Sequence, residues 1–453
     1  MLPTEFSGHI LIAGAGVSGR GCAAVLQRLG ARLTVTDGNP AAAEGIGTQV
    51  VPVETALANL ADYNLVVTSP GWPPHSELLT AAADAGIEVL GDCELAYRLD
   101  RAGVFGPPRR WLVVTGTNGK TTTTGMLAAI MDQDAARTGL RAVAVGNIGA
   151  SVFDALGAQV RADILVVEMS SFQLHWTSQL RPDVGVVLNI AEDHLDWHGS
   201  FAHYAAAKAK ALDGTHAVIG CDDPQLAAYA PAKCYGFTSS APAGGQVGVA
   251  EGHLVSNLEG TPVRLCAVEG IEPAGPAGIA DAAAAAAVAL LAGAHPDSVA
   301  AGLAGYRVSG HRGAVVHRAD GVTYVDNSKA TNPHAADASL RGLERVVWIA
   351  GGQLKGADVE PLVREHAHRI KAAVLLGVDR QLLAKALALH APHTPVHQVE
   401  STDGAAAMRE AVAWAQQHAE AGDTVLLAPA AASLDMYTGM GQRGDFFAAA
   451  CAS

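Results

Sequence analysis

The chain has 453 residues, room for roughly three domains at the usual ~100–200 residues each. Its 30 Lys plus Arg against 44 Asp plus Glu give a formal charge of −14, the wrong sign for a general binder of nucleic-acid backbone. A composition of 49% hydrophobic and 16% charged residues excludes a disordered chain.

The opening run His9-Ile-Leu-Ile-Ala-Gly14 reads as a short buried strand. It leads into Gly14-Ala-Gly-Val-Ser-Gly19, a helix to Leu29 and a second strand Arg32-Leu-Thr-Val-Thr-Asp37, together a βαβ opening. Strand-like runs at Leu65–Thr68 and Ile87–Leu90 alternate with helical spacers such as Ser76–Ala85, and Gly103–Arg110, with Pro107 and Pro108, reads as a linker. A new strand, Trp111–Thr115, enters a second glycine-rich turn and a helix from Thr121 to Met131, followed by buried strands at Ile164–Glu168 and Val184–Asn189. Ser239–Gly245 reads as a loop and the alanine-rich Ala280–Ala292 as a packed helix. A third set begins near Ser309, with strands at Val322–Asp326, Val346–Ala350, Ala373–Gly377 and Thr424–Ala428. Strands alternating with helices predict parallel sheets covered on both faces. The fold class is therefore α/β, three domains in series: 1–105 Rossmann-like, 106–308 a central P-loop-type mononucleotide-binding sheet, and 309–453 Rossmann-like again.

Six scattered cysteines without a Cys-x-x-Cys pair fit a reducing compartment. The N-terminus shows no secretory leader, and the longest apolar stretch, Ile279–Ala294, is interrupted by Asp281 and too short for a bilayer. A cytoplasmic enzyme with no membrane or nucleic-acid partner is expected.

The first glycine turn has the spacing that seats a diphosphate on a helix N-terminus, with Asp37 about 20 residues further on. It leaves open a dinucleotide, a nucleotide-sugar diphosphate or a turn without ligand; taken alone it would suggest a nicotinamide-dependent oxidoreductase. The second turn, Thr115-Gly-Thr-Asn-Gly-Lys-Thr-Thr122, is more specific. Backbone N–H groups from Gly116 through Thr117, Asn118 and Gly119 to Lys120 can wrap phosphate oxygens, Lys120 can neutralise β/γ charge, and the Thr121 hydroxyl can coordinate Mg²⁺. Glu168 ends a buried strand beside Ser170 and Ser171, where the carboxyl ends of such strands face the nucleotide. Glu192, Asp193, His194 and Asp196 follow the next strand. In the third domain His311-Arg312, Asp326-Asn-Ser-Lys-Ala-Thr-Asn332, Lys355 and Ser433-Leu-Asp435 collect at strand ends and suit carboxylates or adenosine and phosphate.

At these residues the sequence resembles the Mur ligases of peptidoglycan synthesis. The strings Gly116-Thr-Asn-Gly-Lys-Thr-Thr122, Gly146-Asn-Ile-Gly149, Glu168-Met-Ser-Ser-Phe-Gln-Leu174, Glu192-Asp-His-Leu-Asp196, His311-Arg312, Ser328-Lys-Ala-Thr-Asn332 and Ser433-Leu-Asp435 occur in family order across all three domains. Within the family they are similar to the branch that joins D-glutamate to UDP-N-acetylmuramoyl-L-alanine through an acyl phosphate, with L-glutamate the alternative acceptor. The resemblance implies ATP and Mg²⁺ at two sites, with Lys120, Glu168, His194, Lys208, Lys329 and Arg312 serving the reaction. Thr121, Glu168, His194 and Lys208 (the lysine the family carbamylates) would serve the metals. Gly116, Thr117, Asn118, Gly119, Lys120, Thr121, Thr122, Arg312, Asp326 and Asn327 would bind the nucleotide. Gly16, Val17, Ser18, Asp37, Ser69, Pro70, Gly71, Asn147, Ser170 and His194 would hold the UDP-sugar, and Thr331, Lys355, Ser433 and Leu434 the glutamate. A monomer is expected. Departures from the family pattern are Asn327 in place of an aspartate, Asp281 in place of an asparagine, Met440 in place of an aromatic, and no basic residue at Gly38-Asn39.

Overall fold

The computed structural model describes residues 2–452 except 149, 309 and 342, with the backbone alone at 40. Gly149 and the boundary expected at Ser309 lie outside the described residues. The chain divides into two compact units, Met1–Glu269 with Ala280–Tyr306, and Gly270–Ile279 with Arg307–Ser453. Among the described residues the strands form three sheets, the first two in the first unit and the third in the second.

The first sheet comprises β1 (His9–Ala13), β2 (Arg32–Thr36), β3 (Gln49–Val51), β4 (Leu65–Thr68) and β5 (Glu88–Gly91), ordered β3-β2-β1-β4-β5 and parallel throughout. The order turns back between β1 and β4, which opens a crevice at their carboxyl ends beside Gly14–Gly19 and Ser69–Gly71.

The second sheet contains β6 (Arg110–Thr115), β7 (Ala142–Gly146), β8 (Ile164–Glu168), β9 (Val184–Val187), β10 (His216–Gly220), β11 (Tyr235–Phe237), β12 (Gln246–Ala250), β13 (His253–Ser256) and β14 (Val263–Ala267). Its order is β14-β13-β12-β11-β10-β9-β6-β8-β7. β6 lies between β8 and β9, so the glycine loop after Thr115, the Glu168 end and the Asn189 end share one rim. The third sheet holds β15 (Ala314–Ala319), β16 (Val322–Asp326), β17 (Val346–Gly351), β18 (Ile370–Leu376), β19 (Val396–Gln398) and β20 (Thr424–Leu427), ordered β15-β16-β20-β17-β18-β19.

The structure corrects four expectations. The sheets are not wholly parallel: β12, β13 and β14 form an antiparallel extension, and β15 runs antiparallel to β16. The helix after the second glycine turn runs Lys120–Thr138, past Met131, and stops where Gly139 takes a left-handed φ of 70°. The alanine-rich helix starts at Pro276, since a proline in the first turn loses no hydrogen bond the helix could use. The linker read as Gly103–Arg110 ends sooner, because Arg110 already belongs to β6 and Arg109 is buried.

Arg109 is buried for a reason. Its Nη1 donates to Asp100 Oδ1 at 2.6 Å and its backbone N–H to Asp100 Oδ2 at 2.9 Å, while Nε donates to the Ala162 carbonyl at 3.0 Å. Trp111 Nε1 also donates to Asp100 Oδ2 at 3.1 Å. The pair locks the end of the helix Asp92–Arg101 onto the start of β6, and both side chains are enclosed (0% and 2% exposed). Asp100→Ala leaves the guanidinium buried without its carboxylate and is expected to cost about 3–5 kcal/mol. A urea-unfolding midpoint unchanged from the parent would contradict this. Elsewhere in the unit, Ala282 to Ala287 are each 0% exposed, so the middle of the alanine-rich helix is enclosed on every face.

Candidate active site

β6 delivers the chain into Gly116 and the helix begins at Lys120, with Gly119 as its cap at φ 85°. A side chain on Gly119 would collide with the carboxylate of Asp281, which leans over the turn. Thr117 N–H donates to the Asn189 carbonyl at 3.0 Å and Asn118 N–H to Asn189 Oδ1 at 2.9 Å. The Thr117 hydroxyl bonds the Tyr204 hydroxyl at 2.7 Å. The loop is therefore shaped by Asn189, and these two amides are not free to wrap phosphate as the sequence suggested. What remains is the first turn of the helix, which no side chain caps.

Lys120 Nζ donates to the carbonyls of Gly116 (2.9 Å) and Thr117 (2.7 Å). Burial lowers its pKa, while Glu168, Asp193 and Asp281 oppose that shift. Lys208, on the helix Phe201–Ala209, is buried and donates to the same Gly116 carbonyl at 2.7 Å. Burial holds its pKa well below the usual lysine range, and Lys120 adds to the depression.

Glu168 closes β8 level with Val114 of β6 and Gly146 of β7. Asn147 Nδ2 donates to its Oε1 at 2.8 Å, whereas the buried Oε2 has no hydrogen-bond partner among the described residues. A buried carboxylate oxygen left open at the strand end beside the Lys120 turn is what a divalent cation fits, and Thr121, in the first turn of the adjoining helix, is the other expected oxygen donor. His194 sits in a left-handed conformation (φ 53°), its Nε2 3.6 Å from Asp193 Oδ2 and its ring 4.6 Å from that of Phe172. Ser170 caps the helix Ser171–His175, accepting from Gln173 N–H while Gln173 Oε1 accepts from Ser170 N–H.

A cavity of about 260 Å³ is lined by Val17, Ser18, Pro70, Asp92, Asn147 and Gln173, among others. Asp37 accepts the N–H groups of Ala15 and Asn39 at 2.7 Å each and so fixes the first glycine turn. Sequence reasoning missed Asp92 and gave Gln173, inside its Glu168–Leu174 motif, no role. Asp92 follows the carboxyl end of β5, the same strand-end signal that found Glu168; its Oδ1 has no partner among the described residues, and burial raises its pKa.

In the second unit, His311 Nδ1 bonds Asp326 Oδ2 at 2.6 Å, and Asp326 Oδ1 accepts the Ser328 N–H at 3.0 Å. Asn327 Nδ2 donates to Ser339, so its amide faces the neighbouring helix Pro333–Arg341. Lys329 and Lys355 are exposed, as is Leu434, whereas Ser433 is buried.

Asp281 gives a pH-dependent handle on the first unit. Enclosure pushes its carboxyl up to about 8, against the lowering effects of the Thr123 hydrogen bond and Lys120. Unfolded, the group ionises near pH 4. Between those values the folded chain binds a proton that the unfolded chain lacks, so stability falls as pH rises. The thermal-unfolding advantage of Asp281→Asn should therefore grow from about pH 4 to about pH 8 and then level off. A difference constant across pH would contradict this.

Three family models match the chain: "Mur ligase MurD-like, N-terminal domain" over residues 8–91, "Mur ligase middle domain" over 114–288 and "Mur ligase, glutamate ligase domain" over 311–431. The UDP-N-acetylmuramoylalanine–D-glutamate ligase of Corynebacterium diphtheriae is 54% identical, covering 100% of this chain and 97% of its own. The enzyme of the same name from Mycobacterium avium is 49% identical over 99% and 97%. The chain belongs to the Mur ligase family. A nicotinamide-dependent reading of the first glycine turn is thereby set aside. Among solved structures, a pseudomurein peptide ligase type C from Methanothermus fervidus superposes with a TM-score of 0.60 at 16% identity, covering 93% of this Mur ligase and 96% of that chain. MurF ligase from Thermotoga maritima, solved with ADP, gives 0.57 at 17% identity, with 87% and 90% covered.

Proposed function

We propose that this Mur ligase joins D-glutamate to UDP-N-acetylmuramoyl-L-alanine at the expense of ATP, as a step of peptidoglycan precursor synthesis. The observation that carries this reading is the 54% identity, along the whole chain, to a ligase of that name. The open Glu168 oxygen and the Lys120 loop supply the matching chemistry. We assign residues 1–105 to the UDP-sugar, 106–308 to ATP and 309–453 to glutamate.

In this reading Lys120 releases the loop carbonyls and turns to the β/γ-phosphates, while the uncapped helix turn receives phosphate oxygens. Thr121 and Glu168 would hold one Mg²⁺, and His194, Glu168 and a carbamylated Lys208 a second. When bound, the ions offset charge on the transferring phosphoryl group. The substrate carboxylate attacks the γ-phosphorus in line, ADP departs, and the acyl phosphate forms. The glutamate amine then attacks the acyl carbon, phosphate leaves, and the amine proton passes to solvent or base. Asn147 both braces Glu168 and lines the cavity assigned to the sugar-peptide end, so it couples the metal ligand to the substrate. Arg312, Asp326 and Asn327 would contact the nucleotide, and Lys329, Thr331, Lys355, Ser433 and Leu434 the incoming glutamate. No helix among the described residues is long and apolar enough to cross a membrane. A cytoplasmic monomer is the form in which we expect it to act.

The test is phosphate release with ATP, Mg²⁺ and UDP-N-acetylmuramoyl-L-alanine, run with D-glutamate, L-glutamate or no amino acid. Release with D-glutamate alone is expected. Release with L-glutamate alone would move the protein to another acceptor, and silence in all three would overturn the reading.

A further inference from the structure

The helix Met440–Cys451 carries in its first turn a residue, Arg443, that neither motif nor spacing singled out. Arg443 is 0% exposed, one of the largest fully enclosed side chains in the molecule, and no carboxylate pairs with it among the described residues. Its Nε donates to Ser328 Oγ at 3.0 Å and its Nη2 to the Ser328 carbonyl at 2.8 Å. Its Nη1 donates to the carbonyls of Ala431 (3.1 Å) and Gly351 (3.4 Å). These acceptors lie just after β16 and β20 and at the last residue of β17, all at the carboxyl edge of the third sheet. Ser328 precedes Lys329, Gly351 opens the turn to Lys355, and Ala431 stands two residues before Ser433.

We infer that Arg443 is the positioning residue of the acceptor amino-acid site, a cationic fork that sets the spacing of the loops bearing Lys329, Lys355 and Ser433. The inference rests on the glutamate-binding role proposed for those loops. Asp435 and Asp326 attract the guanidinium from a distance, but burying a charge with no carboxylate in direct contact is still costly, and a hydrocarbon side chain would fill the space more cheaply. What hydrocarbon cannot do is satisfy carbonyls that leave the strand ladder at a sheet edge. A guanidinium presents five N–H donors in one rigid plane and can reach all three loops at once, whereas a lysine offers a single point.

The turn around Arg443 is fitted to the same edge. Ser328 Oγ donates to the Met440 carbonyl at 2.7 Å. A side chain on Gly444 would collide with the His311 ring and the Asp326 carboxylate. Asp445 Oδ1 lies 3.5 Å from His311 Nε2. Burial lowers the Arg443 pKa to about 10, which leaves it charged at neutral pH.

The experiment is steady-state kinetics of full-length wild type, Arg443→Lys, Arg443→Ala and Ser328→Ala, each substrate varied in turn. Arg443→Lys should raise the KM for D-glutamate about tenfold or more, with the KM values for ATP and the UDP-sugar within about twofold of wild type. Millimolar guanidinium chloride should bring the glutamate KM of Arg443→Ala back toward wild type. Ser328→Ala keeps the guanidinium and removes one acceptor; it should raise the same KM a few-fold, and it carries the test if the Arg443 variants do not fold. Equal rises in all three KM values, or a lowered melting temperature with an unaltered glutamate KM, would overturn the inference while leaving the functional reading intact. A wild type silent with D-glutamate overturns that reading, and this inference with it.

Discussion

Glu168→Gln is expected to lower glutamate-dependent phosphate release about a thousandfold with little change in melting temperature. The glutamine keeps the volume and can still accept from Asn147 through its Oε1, so the brace to β7 survives. It loses the anionic oxygen that has no partner among the described residues, and with it the strongest reason for a cation to lodge there. It also removes one of the carboxylates that hold Lys120 protonated in an enclosed setting. The diagnostic readout is the Mg²⁺ dependence: half-saturation should move at least tenfold higher than in wild type. A variant with wild-type rate and Mg²⁺ dependence would dismiss Glu168 as a metal ligand.

The second large effect is expected at Lys208. The amine groups of two lysines converge on the Gly116 carbonyl, and the inner one, Lys208, is enclosed against the Tyr204 ring at 4.8 Å. Burial and repulsion from Lys120 together favour the neutral amine, which is the form that reacts with carbon dioxide. Addition of carbon dioxide to the neutral amine yields a carbamate and releases one proton, so the side chain passes from neutral to anionic, and attraction to Lys120 replaces the repulsion that a protonated amine would meet. Lys208→Ala should therefore lose about 10²–10³ in rate. Wild type in carbon-dioxide-depleted buffer should slow and then recover with bicarbonate, to which Lys208→Ala is blind. Activity of wild type indifferent to carbon dioxide would mean that the amine acts unmodified.

The second glycine turn was legible because a strand-to-helix turn of this kind demands particular residues at fixed spacing: a left-handed glycine, then a lysine that opens a helix. The strand ending in Glu168 was legible because a continuous apolar run stops abruptly at an acid, and Asp326 and Ser433 because they follow strand-like stretches in the third domain. Three kinds of feature were not. β12, β13 and β14 are short, and β14 is largely exposed, so they lack the apolar continuity that marks a buried strand. Lys208 sits in an alanine-rich helix, where spacing gives no hint that its amine is enclosed; only resemblance singled it out. Arg443, between glycines and a glutamine, reads as an ordinary surface cation, and its burial emerges only when three distant loops converge on it. The engagement of Thr117 and Asn118 by Asn189 likewise joins positions some seventy residues apart, beyond the reach of any local pattern.

The enclosed helix that carries Asp281 has a consequence for how this protein can be probed. From Ala282 to Ala287 every methyl group is screened from solvent, so an enlarged side chain must enter the packed interior, and overpacking there would cost about 1–3 kcal/mol. Alanine scanning, the customary search for side chains that matter, reports nothing along this stretch because the scanning residue is already there. Only enlargement, to valine or leucine, makes the helix visible as one of the least permissive segments of the chain.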